Sequence, residues 1–288
     1  MSAIGRLSRS WHWAQHRFMA MKLTGAIGPY GVIPVTTRFF RNVPLMTEVF
    51  ALIVASGLPR TRLFFHACSS GEEPYSFVMH NLSGPMMSIE VAAADYDPHV
   101  VATAQRGRYP RHVVNESNSG LISNTHSKHF ESHFLHYTLY ASVRRAVDKW
   151  LVLDYTADAI DWVTHEVADM VFCNSSLLYH PHDVQAAVLD RLCRQAKHAL
   201  VITGADNTAL ETVLTRHGFK PHKRNWQAIY DGCPLRRISA ERLYTTPTTP
   251  WLTDRDRATE QFFRYSIFLR AGGAMALAAN HQLDPCVP

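Results

Sequence analysis

The chain has 288 residues, 47% of them hydrophobic and 18% charged, which is enough to bury one sizeable core with room for a small accessory module. No apolar run approaches the roughly 18 residues a membrane-spanning helix needs, and the stretch from Met19 to Ile33 is broken by Lys22 and three glycines, so a soluble, cytoplasmic protein without a membrane span is expected. Five scattered cysteines (Cys68, Cys173, Cys193, Cys233, Cys286) with no CxxC pair argue against a disulfide framework or a zinc site. The seventeen histidines are equally dispersed. His180 and His182 lack acidic or cysteine partners at a ligand spacing, and no metal is expected. A formal charge of +5 would suit an acidic partner or nucleic acid, but the positive charges are spread along the chain with no basic run interleaved with aromatics, and nucleic acid is not the expected partner.

Taken in order, residues 1–57 read as helical and irregular. Arg6, Arg9, Arg17 and Lys22 among Trp11, Trp13 and Phe18 suit a basic surface helix, and Gly25, Gly28 and Gly31 give turns. From about residue 60 the pattern alternates. Arg62 to Ala67 is a short apolar run that ends in the small-residue turn Cys68-Ser69-Ser70-Gly71, followed by a helix over Glu73 to Leu82. Ile89 to Ala94 is a second buried run, closed by Asp95, with a helix starting near Pro98. After a polar loop at about 111–128 come strands at Trp150 to Leu153, Asp169 to Cys173 and Ala199 to Thr203, with helices around 183–197 and 207–217. Strands alternating with helices imply a doubly wound, mostly parallel α/β sheet. Lys220 to His222 and Trp226 to Tyr230 are expected to close it as an antiparallel pair, and Arg255 to Leu269 to form a helix. These readings divide the chain into a helical segment at 1–57, a ligand-binding domain at 58–233 and a C-terminal extension at 234–288.

In open parallel sheets the ligand lies beyond the carboxyl ends of the strands, which singles out two segments. The small-residue turn before Glu72 lets backbone approach a ligand closely at a helix N-terminus. Asp95, ending the second strand, is placed to accept both hydroxyls of a ribose. No GxGxxG follows the first strand, and Glu72 and Glu73 would repel a pyrophosphate. A nucleoside without phosphate fits better. Each residue has a plainer role open to it: Glu72 and Glu73 as first-turn acids, Asp95 as an N-cap, Arg41 in a surface ion pair, Tyr179 in the core.

The stretch from Cys68 to Met79, with its Ser-Gly-Glu-Glu-Pro-Tyr-Ser sequence, resembles the cofactor loop of the CheR-type chemotaxis receptor methyltransferases. Three further segments resemble that family in the same order: Thr37-Arg38-Phe39-Phe40-Arg41; Ala94-Asp95-Tyr96-Asp97 with Ala104-Gln105-Arg106-Gly107-Arg108-Tyr109; and Val171-Phe172-Cys173 with Leu177-Leu178-Tyr179. The resemblance runs from about 36 to 205. It implies a seven-stranded class I (Rossmann-like) methyltransferase sheet and S-adenosyl-L-methionine as cofactor, leaving S-adenosyl-L-homocysteine as product. It further implies that Thr37 and Arg41 lie at the cofactor and active-site mouth, that Glu72 holds the cofactor's amino-acid end and Asp95 its ribose, that Asp154 lies near the adenine, and that Tyr179 faces the transferred methyl. Arg41 and Tyr179 are then the catalytic candidates. Cys68, Gly71, Tyr96, Tyr155 and Asn174 complete the cofactor-binding set.

Two departures bear on the acceptor. Where the family has Arg-Asn-Val after the cysteine of the fourth strand, this chain has Asn174-Ser175-Ser176, removing a planar cation suited to a carboxylate. Only 36 residues precede Thr37, so most of the family's N-terminal domain is expected to be missing, and no room is seen for an inserted β-subdomain after the helix at 207–217. A protein carboxylate other than the bacterial receptor, or a small metabolite, is the expected acceptor. A catalytically altered binding module and an RNA methyltransferase are the alternatives.

Overall fold

The computed structural model describes residues 27–28, 31–32, 37–84, 86–95, 97–111, 113–114, 132–138, 140–143, 151–155, 167–174, 176–177, 182–203, 207–232 and 265–281. After a two-residue ladder between Ile27–Gly28 and Gly31–Val32, the chain enters helix α1 (Val43–Ser56). Asn42 caps it, accepting from the Leu45 amide through Oδ1 at 3.1 Å, and Gly57 ends it in the left-handed region. Strand β1 (Thr61–His66), helix α2 (Glu72–Ser83), strand β2 (Ile89–Asp95) and helix α3 (Pro98–Arg106) follow within a residue of their expected starts. Farther on come β6 (Leu151–Tyr155), β7 (Ala168–Asn174), α4 (His182–Gln195), β8 (Ala196–Thr203) and α5 (Asn207–Arg216).

Between α3 and β6 the chain inserts a three-stranded antiparallel sheet: β3 (Arg108–Pro110), β4 (Phe134–His136) and β5 (Tyr140–Val143), with β5 in the middle. The sequence gives no warning of it, because each strand has only three or four residues and the first begins immediately after the glycine that ends α3. This small sheet lies between α3 and β6, whereas α5 is followed within a few residues by the next strand of the main sheet.

The C-terminal part also departs from expectation. Strand β9 (Phe219–Pro221) forms as foreseen, but Trp226–Asp231 is helix α6, not its antiparallel partner. Asn225 turns the chain in the left-handed region ahead of α6, and Asn tolerates that conformation better than most residues. The partner of β9 is β10 (Ile267–Arg270), taken from the segment expected to be helical at 255–269. Its β-branched and aromatic residues fit a buried strand better than the helical period suggested. Helix α7 (Ala274–His281) then packs on α1. The sheet therefore draws a strand from beyond residue 233.

Seven strands lie in the order β9-β10-β8-β7-β1-β2-β6, with β10 antiparallel to both of its neighbours. The links β8·β7, β7·β1, β1·β2 and β2·β6 are parallel. The central strands are buried on both faces, and adjacent residues part to opposite cores. Phe65 and Phe172 stack at 4.3 Å between centroids and meet Phe77 of α2 on one side. Phe64, Val171 and Cys173 pack under α4 and α5 on the other. Among the described residues no helix is long and apolar enough to cross a membrane, and no cluster of metal-binding side chains is present.

Candidate functional site

The parallel strands β7, β1 and β2 end together, and the turn after β1 is bent sharply. Ala67, Ser69 and Gly71 all have positive φ, at 56°, 54° and 88°. So tight a turn of small residues lets the backbone come close to a ligand. It is held from below and above: the Cys68 amide donates to Ala94 O at 2.9 Å, and the Gly71 amide to Cys68 O at 3.1 Å.

Asp95 closes the turn from the neighbouring strand. Its Oδ2 accepts the Ser69 amide at 2.7 Å and its Oδ1 the Asp97 amide at 3.0 Å. The N-cap role belongs instead to Asp97, whose Oδ1 accepts the His99 amide at 2.8 Å. Asp95 is buried, so its carboxylate ties the end of β2 to the turn that follows β1.

The segment resembling the family's Ala-x-x-Gly-x-Tyr run clamps the turn from outside. Tyr109 donates its hydroxyl to Ser70 O at 2.7 Å, and Tyr75 of α2 donates to Ala104 O at 2.9 Å. A Cβ on Gly71 would stand 2.7 Å from Ala104 Cβ, which explains why two small residues meet here. Tyr109→Phe is expected to cost about 1 kcal/mol, read as a fall of a few degrees in the melting temperature with the far-ultraviolet circular dichroism unchanged.

The Thr37 to Arg41 segment packs across α2. Phe39 makes edge contacts with Tyr109 and Phe134 at 4.9 and 5.1 Å. The Phe40 amide donates to Ser76 Oγ at 2.8 Å, and Ser76 Oγ donates to Glu72 O at 2.6 Å. This places Arg41 against α2, with one guanidinium nitrogen 3.6 Å from Glu73 Oε2 and only 10% of its side chain exposed. It is not a surface ion pair. Thr37 is half-buried at the start of the segment.

The two glutamates of the turn divide. Glu72 is buried, with Ser70 Oγ at 3.0 and 2.8 Å from its carboxylate oxygens. Burial pushes its carboxyl up to about 7, against which the Ser70 hydrogen bond works. Glu73 faces the other way, toward Arg41 and Asn174. Asn174 Nδ2 donates to Glu73 Oε1 at 2.6 Å from the end of β7. Sequence reasoning puts the ligand-holding acid at Glu72 and misses the Glu73 link, since contact between α2 and β7 leaves no local pattern. Buried Cys68 and Cys173 are unreactive thiols: burial pushes the first well above its ordinary value and the second to about 12.

Arg41, Cys68, Gly71, Glu72, Asp95 and Asn174 are thus gathered at the carboxyl ends of β1, β2 and β7 or across the first turns of α2, with Thr37 at the start of the segment that leads to Arg41. Asp154 and Tyr155 lie within β6, one and two positions past its expected end, in backbone register with Ala94 and Asp95. Tyr96 and Tyr179 lie outside the described residues.

A seven-stranded sheet in this order, parallel but for one late strand, with an acid at the end of the second strand, is the Rossmann-like fold of class I S-adenosylmethionine-dependent methyltransferases. The chain matches the family described as "CheR methyltransferase, SAM binding domain" over residues 35–219 and belongs to it. It is 28% identical over 215 residues to the probable biofilm formation methyltransferase WspC of Pseudomonas aeruginosa, covering 70% of this chain and 49% of that one. The WspC of Pseudomonas putida is also 28% identical, over 236 residues, covering 76% and 53%. The chain therefore spans about half the length of the curated relatives it matches. Among solved structures, magnesium protoporphyrin IX methyltransferase of Synechocystis aligns with a TM-score of 0.37 at 13% identity, covering 63% of this chain and 72% of that one.

Proposed function

We propose that the chain transfers the methyl group of S-adenosylmethionine to a carboxylate or other oxygen acceptor on a protein or small metabolite. The observation that carries this reading is the Asp95 carboxylate, buried at the end of β2 and fastened to the Ser69 amide of the β1–α2 turn. The ribose acid and the cofactor loop thereby form one rigid unit. The polar groups also fit the cofactor. Ser69 Oγ and Asn174 Oδ1 are buried without a hydrogen-bond partner among the described residues, and such atoms are normally satisfied by a ligand or water.

In this reading Asp95 holds the ribose diol, Cys68 and Gly71 bring backbone against the cofactor, and Glu72 faces its positive charge. Thr37 and Arg41 stand at the mouth, with Asn174 beside the amino-acid end. Tyr96, Asp154 and Tyr155 are assigned to the nucleoside side, and Tyr179 to the methyl-transfer centre. When bound, S-adenosylmethionine supplies a methyl group on a sulfonium, already activated toward a nucleophile. The protein then has to align the acceptor, a contribution of up to roughly 7–11 kcal/mol for well-oriented reactants. A carboxylate acceptor, ionised at neutral pH with an ordinary pKa of about 4, needs no general base. Arg41 would orient it through a charge-assisted hydrogen bond. The buried free thiols of Cys68, Cys173 and Cys193 suit a reducing compartment such as the cytoplasm.

The test is calorimetric titration with S-adenosylmethionine and S-adenosylhomocysteine, beside an Asp95→Ala variant whose fold is checked by circular dichroism. Micromolar binding that weakens at least about 100-fold in the variant is expected, because hydrogen bonds to a charged group are lost. Absence of binding to the parent protein would overturn the reading. With methyl-labelled cofactor, label released by mild alkali as methanol identifies a carboxylate acceptor, and alkali-stable label another oxygen.

A further inference from the structure

Beyond the cofactor loop, the strand ends carry a second set of side chains. Asn174 at the end of β7 pairs with Thr203 at the end of β8, and Val201 pairs with Ile267. The Ile202 amide donates to Ser266 O at 2.8 Å, which sets Tyr265 beside Thr203 where the parallel strands stop. Tyr265 packs against the core beneath α4 and α5. Trp226 comes from α6, whose Ile229 is buried in the opposite core together with α1. The two rings nevertheless meet, with centroids 5.8 Å apart, and Tyr230 lies 6.5 Å from Trp226. Side chains anchored on opposite faces of a sheet can touch at an inner strand only past its end, and β10 is an inner strand. The three rings, each partly buried, therefore stand over the carboxyl end of β8 and the start of β10.

Two observations tie these rings to the methyl-transfer site. Asn42 donates through Nδ2 to Ile229 O at 2.9 Å, so the helix that carries Trp226 and Tyr230 is fastened to the residue that follows Arg41. Ser266 Oγ is buried without a hydrogen-bond partner among the described residues, and such an atom is normally met by a ligand or water. Aromatic walls with a few polar groups are what small-molecule pockets are made of. Trp226, Tyr230, Tyr265 and Ser266 all lie beyond residues 35–219, the stretch matched to the family. Resting on the methyltransferase reading above, we infer that these rings wall the acceptor pocket and that the acceptor is a small aromatic carboxylate. Trp226 and Tyr265 are specificity-determining residues that receive the planar ring, while the carboxylate reaches toward Arg41. An aspartate or glutamate side chain has no ring to set against such a wall. In the transfer, a carboxylate oxygen lone pair forms the bond to the methyl carbon as the carbon–sulfur bond breaks. The broken bond's electron pair stays on sulfur, giving a methyl ester and S-adenosylhomocysteine with no proton to move.

The probes are benzoate and cyclohexanecarboxylate, equal in charge and close in size, the first planar and aromatic, the second puckered and aliphatic. Each is titrated calorimetrically into the full chain saturated with S-adenosylhomocysteine. Benzoate is expected to bind about fivefold more tightly, the worth of one well-placed aromatic contact. Trp226→Leu and Tyr265→Leu should each bring that ratio close to one and leave the affinity for S-adenosylhomocysteine unchanged. The ratio is the informative quantity, since a merely structural defect weakens both acids together. A second readout needs no leucine variant: benzoate ring protons should show nuclear Overhauser contacts to an indole signal that disappears in Trp226→Phe. With methyl-labelled S-adenosylmethionine, benzoate should take up the label as an alkali-labile methyl ester. Equal affinity for the two acids, an unchanged ratio in folded leucine variants, no indole contact, or bound benzoate that gains no label overturns this inference alone. Failure of the parent protein to bind S-adenosylhomocysteine overturns the cofactor assignment and this inference with it.

Discussion

Replacing Gly71 by alanine or valine should destabilise the protein by about 3 kcal/mol and abolish cofactor binding. Two costs add at this position. The backbone stands at φ 88°, where a side chain is strained by roughly 1–2 kcal/mol. The new Cβ would also lie 2.7 Å from Ala104 Cβ and 3.5 Å from the Tyr109 hydroxyl, an overpacking that typically costs about 1–3 kcal/mol. Relief requires α3 to move away from the turn, and that movement pulls Tyr109 off Ser70 O. Thermal melts should show a fall of roughly 6–12 °C, and calorimetry should show lost affinity for S-adenosylhomocysteine. Gly84→Ala is the control. It has an ordinary negative φ and its added Cβ would meet nothing closer than His80 O at 3.6 Å, so it should shift stability by less than about 0.5 kcal/mol. Equal effects at both glycines would mean that the turn tolerates a side chain and that the close approach of Gly71 to Ala104 has no consequence.

The second large effect is expected far from the cofactor loop, at Glu48 on α1. This carboxylate is 1% exposed and accepts from His222 Nε2 at 2.6 Å, Arg224 Nε at 2.8 Å and Asn225 Nδ2 at 2.6 Å. Burial works to raise its pKa, but the hydrogen bonds from His222, Asn225 and Arg224 outweigh it and hold the carboxyl below its ordinary value. Because the folded pKa lies below the unfolded one, the contribution to stability is present above the unfolded value of about 4.3 and lost as pH falls through the folded value. Glu48→Ala leaves three donors facing a void and should cost about 3–4 kcal/mol at neutral pH. Urea denaturation across pH 3 to 7 should show the parent protein losing stability at the acid end, and the variant starting low and changing less. Parallel pH curves for the two proteins would remove Glu48 from the account. The same cluster anchors the loop before α6. Asn42 donates through Nδ2 to Ile229 O at 2.9 Å, so the helix that follows Arg41 is braced by the segment that Glu48 holds.

The parts of the fold that were legible in the sequence are those governed by local rules. Pro98 after Asp97, the run of apolar residues from Leu63 to Phe65, and the small-residue turn at Cys68 to Gly71 each carry their own signal, and the parallel core was readable from them. Trp226 to Tyr230 was not, since aromatic and β-branched residues suit a strand as well as a short helix, and only the left-handed Asn225 decides. Ile267 to Arg270 becomes a strand because it fills the slot between β8 and β9, a tertiary reason with no local trace. The site shows the same division. Asp95 and the turn could be named from position along the chain, whereas the pairing of Glu73 with Asn174, 101 residues apart, depends on which way the first turn of α2 is rotated. The family's Arg-to-Asn departure flagged the position without indicating what its new side chain would hold.

The antiparallel strand β10 also imposes an order on the protein's birth. Val201 pairs with Ile267 and Ala199 with Leu269, and Arg270 reaches across to donate to the carbonyls of Cys193, Ala196 and His217. At roughly 5–20 residues per second, a ribosome will have completed the cofactor loop and β8 several seconds before β10 emerges. During that interval one edge of β8 is uncapped and β9 has no neighbour to join, which leaves unpaired backbone of the kind that invites aggregation. The nascent chain thus assembles its binding loop early and seals its sheet last, so its exposure to chaperones is set by the time taken to translate the stretch between them.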